Sequence, residues 1–582
     1  MDDKILEKVY KPGRYLGSEY NVVRKNPEQI KIRAALCFPD IYEIGMSHLG
    51  FRIIYGLFNE IDDVCCERVF LPGEDLEKII HEEKLALSSL ESGSPLSGFD
   101  ILGFSLSYEL AYLNVLKMLE LSNIPIFQSE RGQAHPLVVG GGYSCLNPEV
   151  MSDFFDCFVI GEAEELAVEL IDKVRAAKSR AAPRKELLKE LAGIQGIYVP
   201  SLYEVEYNHD QTIKGISPND RCAPRRIKKR IVSNLDNSFF PQRWVVPYVQ
   251  TVHDRVILEI MRGCPNACAF CQARAFYYPY RIRSKEKVLG LAEALLKNSG
   301  YEEISLLGLS CGDHPKILEI LHSLIDSFQG KDISVSLPSL KIKNYIKNIP
   351  FLLNSVKKTG LTFAPEAGSD RLRKSINKDI NIHELFEVAG NAYKAGYKHI
   401  KLYFMMGLPD ESRDDLKKII ELTVEIVRLR KAIDGKLGNA TISISSFIPK
   451  PHTAFERSPM NNIGLLKEKR GYLLSALKSS GYGRAIKMDF HSLEKSFIEA
   501  VLARSGRKGG RLIYEVLKLS RQDQGINCRE GGFSPKNTQD NFNFNLWVEA
   551  FKALSLSPEF YVNRAIGENE ILPWSHIDIS GK

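Results

Sequence analysis

A chain of 582 residues is too long for one hydrophobic core and implies several domains of about 100–200 residues each. Its 44% hydrophobic and 26% charged residues are ordinary for globular proteins and exclude a disordered or fibrous chain. The net charge of +6, from 78 basic against 72 acidic side chains, is too small to mark a dedicated nucleic-acid binder.

Residues 1–30 are polar and mixed and read as an arm laid over the first domain. They contain no apolar leader, and no later run reaches the ~18 apolar residues of a bilayer span, so a cytoplasmic location with no membrane partner is expected. Buried-strand runs follow at 30–39, 99–107, 135–144 and 154–165, separated by amphipathic segments such as 108–122. Over 31–175 this alternation predicts a Rossmann-like, doubly wound parallel sheet. Residues 176–245 read as a connector or subdomain, with the basic run RCAPRRIKKR (221–230) mainly a solvated face.

Over 246–460 a second βα alternation appears, with strands at 255–263, 302–310, 333–339, 360–367, 399–409 and 440–449. Six such units suit a partial (β/α)6 barrel, whose chemistry belongs at the carboxyl ends of its strands. Residues 461–582 predict a small helical C-terminal domain, with the Gly-, Asn- and Gln-rich tract 525–545 a long loop. The fold class is therefore α/β.

Eleven irregularly spaced cysteines do not describe a disulfide framework, and one tight group exists, Cys264, Cys268 and Cys271, directly after the first barrel strand. Three thiolates leave one iron of a [4Fe–4S] cluster without a protein ligand and open to a small molecule. Structural zinc would require a closed set of four ligands, normally in two short pairs, and no second pair is present.

The C-x3-C-x-aromatic-C loop, with Phe270 as the aromatic residue, resembles the signature of the radical S-adenosylmethionine (SAM) superfamily. The resemblance implies a [4Fe–4S] cluster whose open iron is chelated by SAM, and a reducing electron donor that drives cleavage to methionine and a 5′-deoxyadenosyl radical. It places Phe270 near the adenine. Ser310 and Asp313 in LGLSCGDH would lie near the methionyl end, although this tract departs from the commoner Gly-Gly-Glu. The tract TFAPEAGSDRLRKSINK resembles a Glu-x-Gly-Ser stretch and offers Glu366, Gly368 and Ser369, with Arg371 or Arg373 for the carboxylate. MMGLPDES, with Gly407, resembles the Gly-Leu-Pro turn. Singly, these glycines and carboxylates could also shape turns and cap helices.

Residues 31–165 resemble the cobalamin-binding domain that precedes the barrel in one radical SAM subgroup, through Asp40, Gly45, Ser105, Gly140 and Gly141. Tyr42 stands where that family has its cobalt-ligating histidine, and a neutral phenol is a poor cobalt ligand. Cobalamin is thus a second candidate cofactor, against a Rossmann-like cover that binds none. The leading function is a radical SAM enzyme, with cobalamin-linked methylation one form of it. The alternatives are methylthiolation of RNA or protein, with a second cluster drawn from Cys37, Cys65 or Cys66, and Cys145, and a non-catalytic RNA-binding protein with a structural metal.

Overall fold

The computed structural model describes residues 2–336, 361–378, 380–527 and 542–580. Strand β1 (Ile32–Phe38) is buried on both faces, as its run of Ile, Ala, Leu, Cys and Phe dictates. It pairs in parallel with β2 (Val64–Phe70) on one side and β3 (Ile101–Ser105) on the other. Strands β4 (Leu137–Gly141) and β5 (Cys157–Val159) continue in parallel, and β6 (Ile197–Tyr198) is antiparallel to β5, giving the spatial order 2-1-3-4-5-6. Helices Leu49–Glu60, Tyr112–Leu121 and Leu166–Ser179 bury their apolar stripes in this domain. Because the winding reverses between β1 and β3, a crevice is expected at their carboxyl ends.

Strand β2 departs from the sequence expectation, because Glu67 and Arg68 interrupt its apolar pattern, yet both are buried. Arg68 is 1% exposed and pairs with Glu19 at 2.8 Å and Glu91 at 2.6 Å. The Tyr42 hydroxyl donates to the same Glu19 at 2.7 Å. The N-terminal arm therefore inserts a carboxylate into the core.

Strands β7 (Tyr203–Tyr207) and β8 (Ile213–Pro218) form an antiparallel hairpin. Strand β9 (Ile227–Lys228) lies in the basic run and pairs in parallel with Ile577–Asp578 near the chain's end. Lys229 is buried, and its ammonium donates to the carbonyls of Ala275, Phe276 and Tyr278 at 2.9, 3.0 and 2.7 Å. It thus caps the helix Gln272–Tyr277.

In the barrel, β10 (Val256–Glu259) is followed by β11 (Met261–Arg262), which pairs antiparallel with β12 (Arg281–Ile282). Strand β10 pairs in parallel with β13 (Glu303–Leu307), and β13 with β14 (Ser334–Ser336). A second parallel sheet runs β15 (Leu361–Glu366), β16 (His399–Met406), β17 (Asn439–Ser446) and β18 (Ile486–Phe490). Strand β18 is an addition to the six expected barrel strands and follows helix Ile463–Ser480. The rest of the expected strand at 333–339, together with Cys528 and most of the 525–545 tract, lies outside the described residues.

Helices Leu493–Arg504, Arg507–Asn527 and Phe544–Ala553 form the C-terminal part, and the second packs against Tyr112–Leu121 of the first domain. Among the described residues, no helix is long and apolar enough to cross a membrane.

Arg68→Ala leaves Glu19 and Glu91 buried without their cation and is expected to destabilise the N-terminal domain by about 3–5 kcal/mol. Urea unfolding of this variant checks the figure. Lys8→Ala, which breaks an exposed pair with Glu83, should leave the transition in place.

Candidate cluster and SAM site

Gly263 turns the chain out of β11 with φ +81°, and a Cβ there would meet the Pro279 and Tyr277 carbonyl oxygens at 2.6 and 2.7 Å. Only glycine fits. Cys264, Cys268 and Cys271 then follow on one loop, the last at the N-cap of helix Gln272–Tyr277. Three hydrogen bonds pin the loop to the far side of the barrel. The Ala269 amide donates to the Ile376 carbonyl at 2.9 Å, the Ala454 amide to the Ala269 carbonyl at 3.0 Å, and the Asn377 side chain to the Ala267 carbonyl at 2.8 Å. Phe270 packs against a small core that includes Ala367, Met405, Leu408 and Phe447, where β15, β16 and β17 end.

The three thiols are half-buried. Burial pushes Cys268 and Cys271 up and the neighbouring thiols add to this, while Lys378 draws both down. A cavity of about 250 Å³ opens beside Cys268 and Cys271, lined also by Arg274, Tyr278, His452 and Ile579. Among the described residues, no three His, Cys, Asp or Glu side chains converge as ligands of a single ion would.

Asn266, between the first two cysteines, joins this loop to the next strand end. Its amide donates to Cys264 Sγ at 3.2 Å and to Asp313 Oδ2 at 2.7 Å, and Ser310 Oγ donates to the same carboxylate oxygen at 2.7 Å. Ser310 and Asp313 thus sit beside the cysteine loop. Glu366 ends β15 with φ +68°, a strained backbone for a non-glycine residue, where the register against β16 shifts. Burial raises its carboxyl, and Lys378, 3.6 Å away, opposes the shift.

The remaining residues of that tract are tied to the barrel framework. Ser369 caps helix Asp370–Ser375 and also donates to Asp415. Arg371 donates to Asp415 and to the Asp410 carbonyl. Arg373 is buried on the carbonyls of Ala367 and Gly368. A Cβ at Gly368 would meet Asp415 O and Ile419 N at 2.5 Å, so the glycine lets helix Arg413–Asp434 approach. Gly407 turns with φ +85°, its amide donating to Glu411 at 2.9 Å. Asn266 and Lys378 were missed in the sequence, although both lie inside the tracts that drew attention there.

Beneath the loop lies a buried ionic network. Arg262 reaches Glu259 at 2.9 Å, Glu164 at 2.7 Å and Glu162 at 3.4 Å; Arg281 reaches Glu162 at 2.6 Å and Arg283 reaches Glu259 at 3.1 Å. Glu162 and Glu164 come from the N-terminal domain, and Tyr143 of that domain packs on Phe276 behind Cys271. A second buried group joins Lys450 to Glu109 at 2.7 Å and to Glu499 at 2.8 Å.

At the sheet's carboxyl edge, the resemblance residues divide. The Tyr42 hydroxyl is engaged by Glu19 and the ring is buried, so it offers no cobalt ligand. Phe70 would stand 2.3 Å from a Cβ at Gly45, and Phe158 2.8 Å from one at Gly140, so these glycines serve packing. Asp40 and Ser105 are half-buried at the strand ends, and a Cβ at Gly141 would meet nothing closer than Val159 at 3.7 Å.

Residues 50–200 match the family model described as radical SAM proteins, N-terminal, and residues 258–423 match the radical SAM superfamily model. An uncharacterised protein from Methanocaldococcus jannaschii is 27% identical over 81% of this chain and 88% of its own. The ribosomal protein uS12 methylthiotransferase RimO of Thermoanaerobacter sp. is 23% identical over 48% of this chain and 67% of its own. The radical SAM methyltransferase TsrM from Kitasatospora setae, solved with cobalamin and a [4Fe–4S] cluster, superposes with TM-score 0.52 at 11% identity, over 84% of this chain and 99% of that one. At that identity the likeness shows a shared fold.

Burial raises the Asp415 carboxyl, but hydrogen bonds from Ser369, Ser412 and Arg371 outweigh it and hold the group down at about 2. Its stabilising contribution of about 2 kcal/mol is therefore complete above pH ~4 and lost as pH falls towards about 2. Asp415→Asn should lower stability by that amount at pH 7, with the gap to wild type closing below pH ~4 in thermal melts.

Proposed function

We propose that this chain, which belongs to the radical SAM superfamily, is an enzyme that holds a [4Fe–4S] cluster on Cys264, Cys268 and Cys271 and cleaves SAM beside it. The observation that carries this reading is the placement of three thiols on one loop at the carboxyl ends of the barrel strands. Bound on these thiolates and reduced, such a cluster would supply an electron able to divide SAM into methionine and a 5′-deoxyadenosyl radical that abstracts a hydrogen atom from substrate.

The chain's own residues hold the nucleoside sulfonium in place. The Phe270 segment meets the adenine, and Ser310, Asp313 and Glu366 accept or orient the methionyl amine. Arg371 is committed to Asp415, so Lys378, whose charge reaches Cys268 and Cys271, takes the carboxylate contact in its stead. Gly368, Ser369 and Gly407 act one layer out, by fixing the strand ends. Substrate sits between the loop and the N-terminal sheet, near Tyr143 and the Glu109–Lys450–Glu499 group. An RNA or a protein is the substrate class favoured by the methylthiotransferase relatives, a cellular reductant supplies the electron, and the oxygen-sensitive chemistry suits the cytoplasm.

Those relatives also favour methylthiolation as a second reading. It needs a second cluster, and of the candidate thiols Cys37, Cys66 and Cys145 are fully buried and held well up by burial, on β1, on β2 and just after β4, while half-buried Cys65 is pushed up to about 11. Radical SAM chemistry with one cluster is therefore preferred.

Anaerobic reconstitution should give about four irons per chain and SAM-dependent 5′-deoxyadenosine on reduction, whereas about eight irons would favour methylthiolation. Cys264→Ala, Cys268→Ala and Cys271→Ala should each lose cluster and cleavage. Cys311→Ala, a buried thiol on the second strand's loop, should keep both. Loss of the cluster from Cys311→Ala would overturn the ligand assignment.

For cobalamin, the shared fold with TsrM and the open Asp40, Ser105 and Gly141 positions support a site with no ligand from Tyr42. Added cobalamin should then give a visible spectrum that lacks a histidine ligand, with the same affinity in Tyr42→Phe. A spectrum of free cobalamin at every protein concentration would leave the N-terminal sheet as a cover alone.

A further inference from the structure

Away from the cluster, the hairpin β7–β8 and the C-terminal helices line a cavity of about 50 Å³. Its wall includes Tyr207, Arg504, Lys508, Arg564 and Glu570. Arg564 and Glu570 satisfy each other through two parallel bonds of 2.7 and 2.5 Å. Arg504 has no such partner. It is 4% exposed, one nitrogen donates to the carbonyls of Ser458 and Val562, and its Nε and Nη2 have no hydrogen-bond acceptor among the described residues.

Nearby carboxylates are engaged elsewhere. Glu570 holds Arg564, and Glu456 Oε2 accepts from the His452 amide and the Trp574 indole at 2.8 Å each. Lys508 lies 4.3 Å from the Tyr207 ring centroid and donates to Gln211, a neutral partner. The Tyr207 hydroxyl is buried and has no hydrogen-bond partner among the described residues. The wall therefore carries three cations against one carboxylate and several idle donors. An unpaired buried guanidinium is expensive, and a water would accept its hydrogen bonds without cancelling its charge.

We propose that this cavity is a binding site for a phosphate group, with Arg504 and Lys508 supplying charge and Tyr207 a hydroxyl donor. A tetrahedral oxyanion accepts from several directions at once, which suits donors arriving from a hairpin and a helical domain. The site is separate from the cluster chemistry and would seat either free phosphate or the phosphoryl group of a small metabolite.

The test is calorimetric titration of the full-length chain at constant ionic strength with inorganic phosphate, adenosine 5′-monophosphate and acetate. One saturable phosphate per chain is expected, weakened about tenfold or more in Lys508→Gln and about fivefold in Tyr207→Phe, the loss of a charged and a neutral hydrogen bond. Both side chains are only half-buried, so these variants should fold even if Arg504→Lys, expected to bind least, does not. Tighter binding of the nucleotide identifies a phosphorylated metabolite, and equal binding identifies free phosphate. Absence of saturable phosphate binding, affinity unchanged in both Lys508→Gln and Tyr207→Phe, or acetate binding as well as phosphate overturns the proposal.

Discussion

Three guanidinium groups and three carboxylates buried under the cysteine loop hold the two halves of this protein in one working arrangement. Arg262, Arg281 and Arg283 belong to the barrel, and so does Glu259, but Glu162 and Glu164 arrive from the N-terminal domain. Burying either set alone would strand charge in a low dielectric, at several kcal/mol per ion. Together they are neutral. Since Arg262 immediately precedes Gly263 and Cys264, the start of the loop is set by a contact that exists only when the N-terminal domain is docked. Lys229 makes the same dependence from the connector, by capping the short helix that ends the loop.

This dependence explains what the sequence revealed and what it did not. The apolar runs of β1, β3 and β4 and of β10, β13, β16 and β17 state their own burial, and the three-cysteine spacing states its own chemistry. Strand β2 was hidden because Glu67 and Arg68 read as solvent-facing, when their partners Ser89, Glu19 and Glu91 lie 22 to 49 residues away. Tyr42 is similar: its identity argued against a cobalt ligand, but only the fold shows Glu19 holding its hydroxyl.

Arg371 is a further case of a partner that only the fold supplies. Near a Glu-x-Gly-Ser stretch, an arginine reads as a carboxylate binder, yet the acid it meets is Asp415, at the start of helix Arg413–Asp434. Lys378, seven residues further on, is the cation that reaches the thiols. Residue type pointed to basic groups in this tract, and the partner each one meets follows from tertiary geometry. Strand β18 was hidden for a related reason. Its sequence, IKMDF, is too polar to announce a barrel strand, and its place follows from backbone pairing with β17.

Buried cations in this interior are met by carboxylates drawn from distant parts of the chain. Arg68 has two carboxylates within hydrogen-bonding distance, Arg131 pairs with Asp156, and the network under the loop is neutral as a whole. The group Glu109–Lys450–Glu499 likewise sets two carboxylates against one ammonium, between the N-terminal sheet and the barrel. Burial raises Glu109, and Glu499 reinforces that shift against the pull of Lys450. Removing the cation from either group would strand two carboxylates in a low dielectric, so Lys450, like Arg68, ties together segments that the sequence keeps far apart.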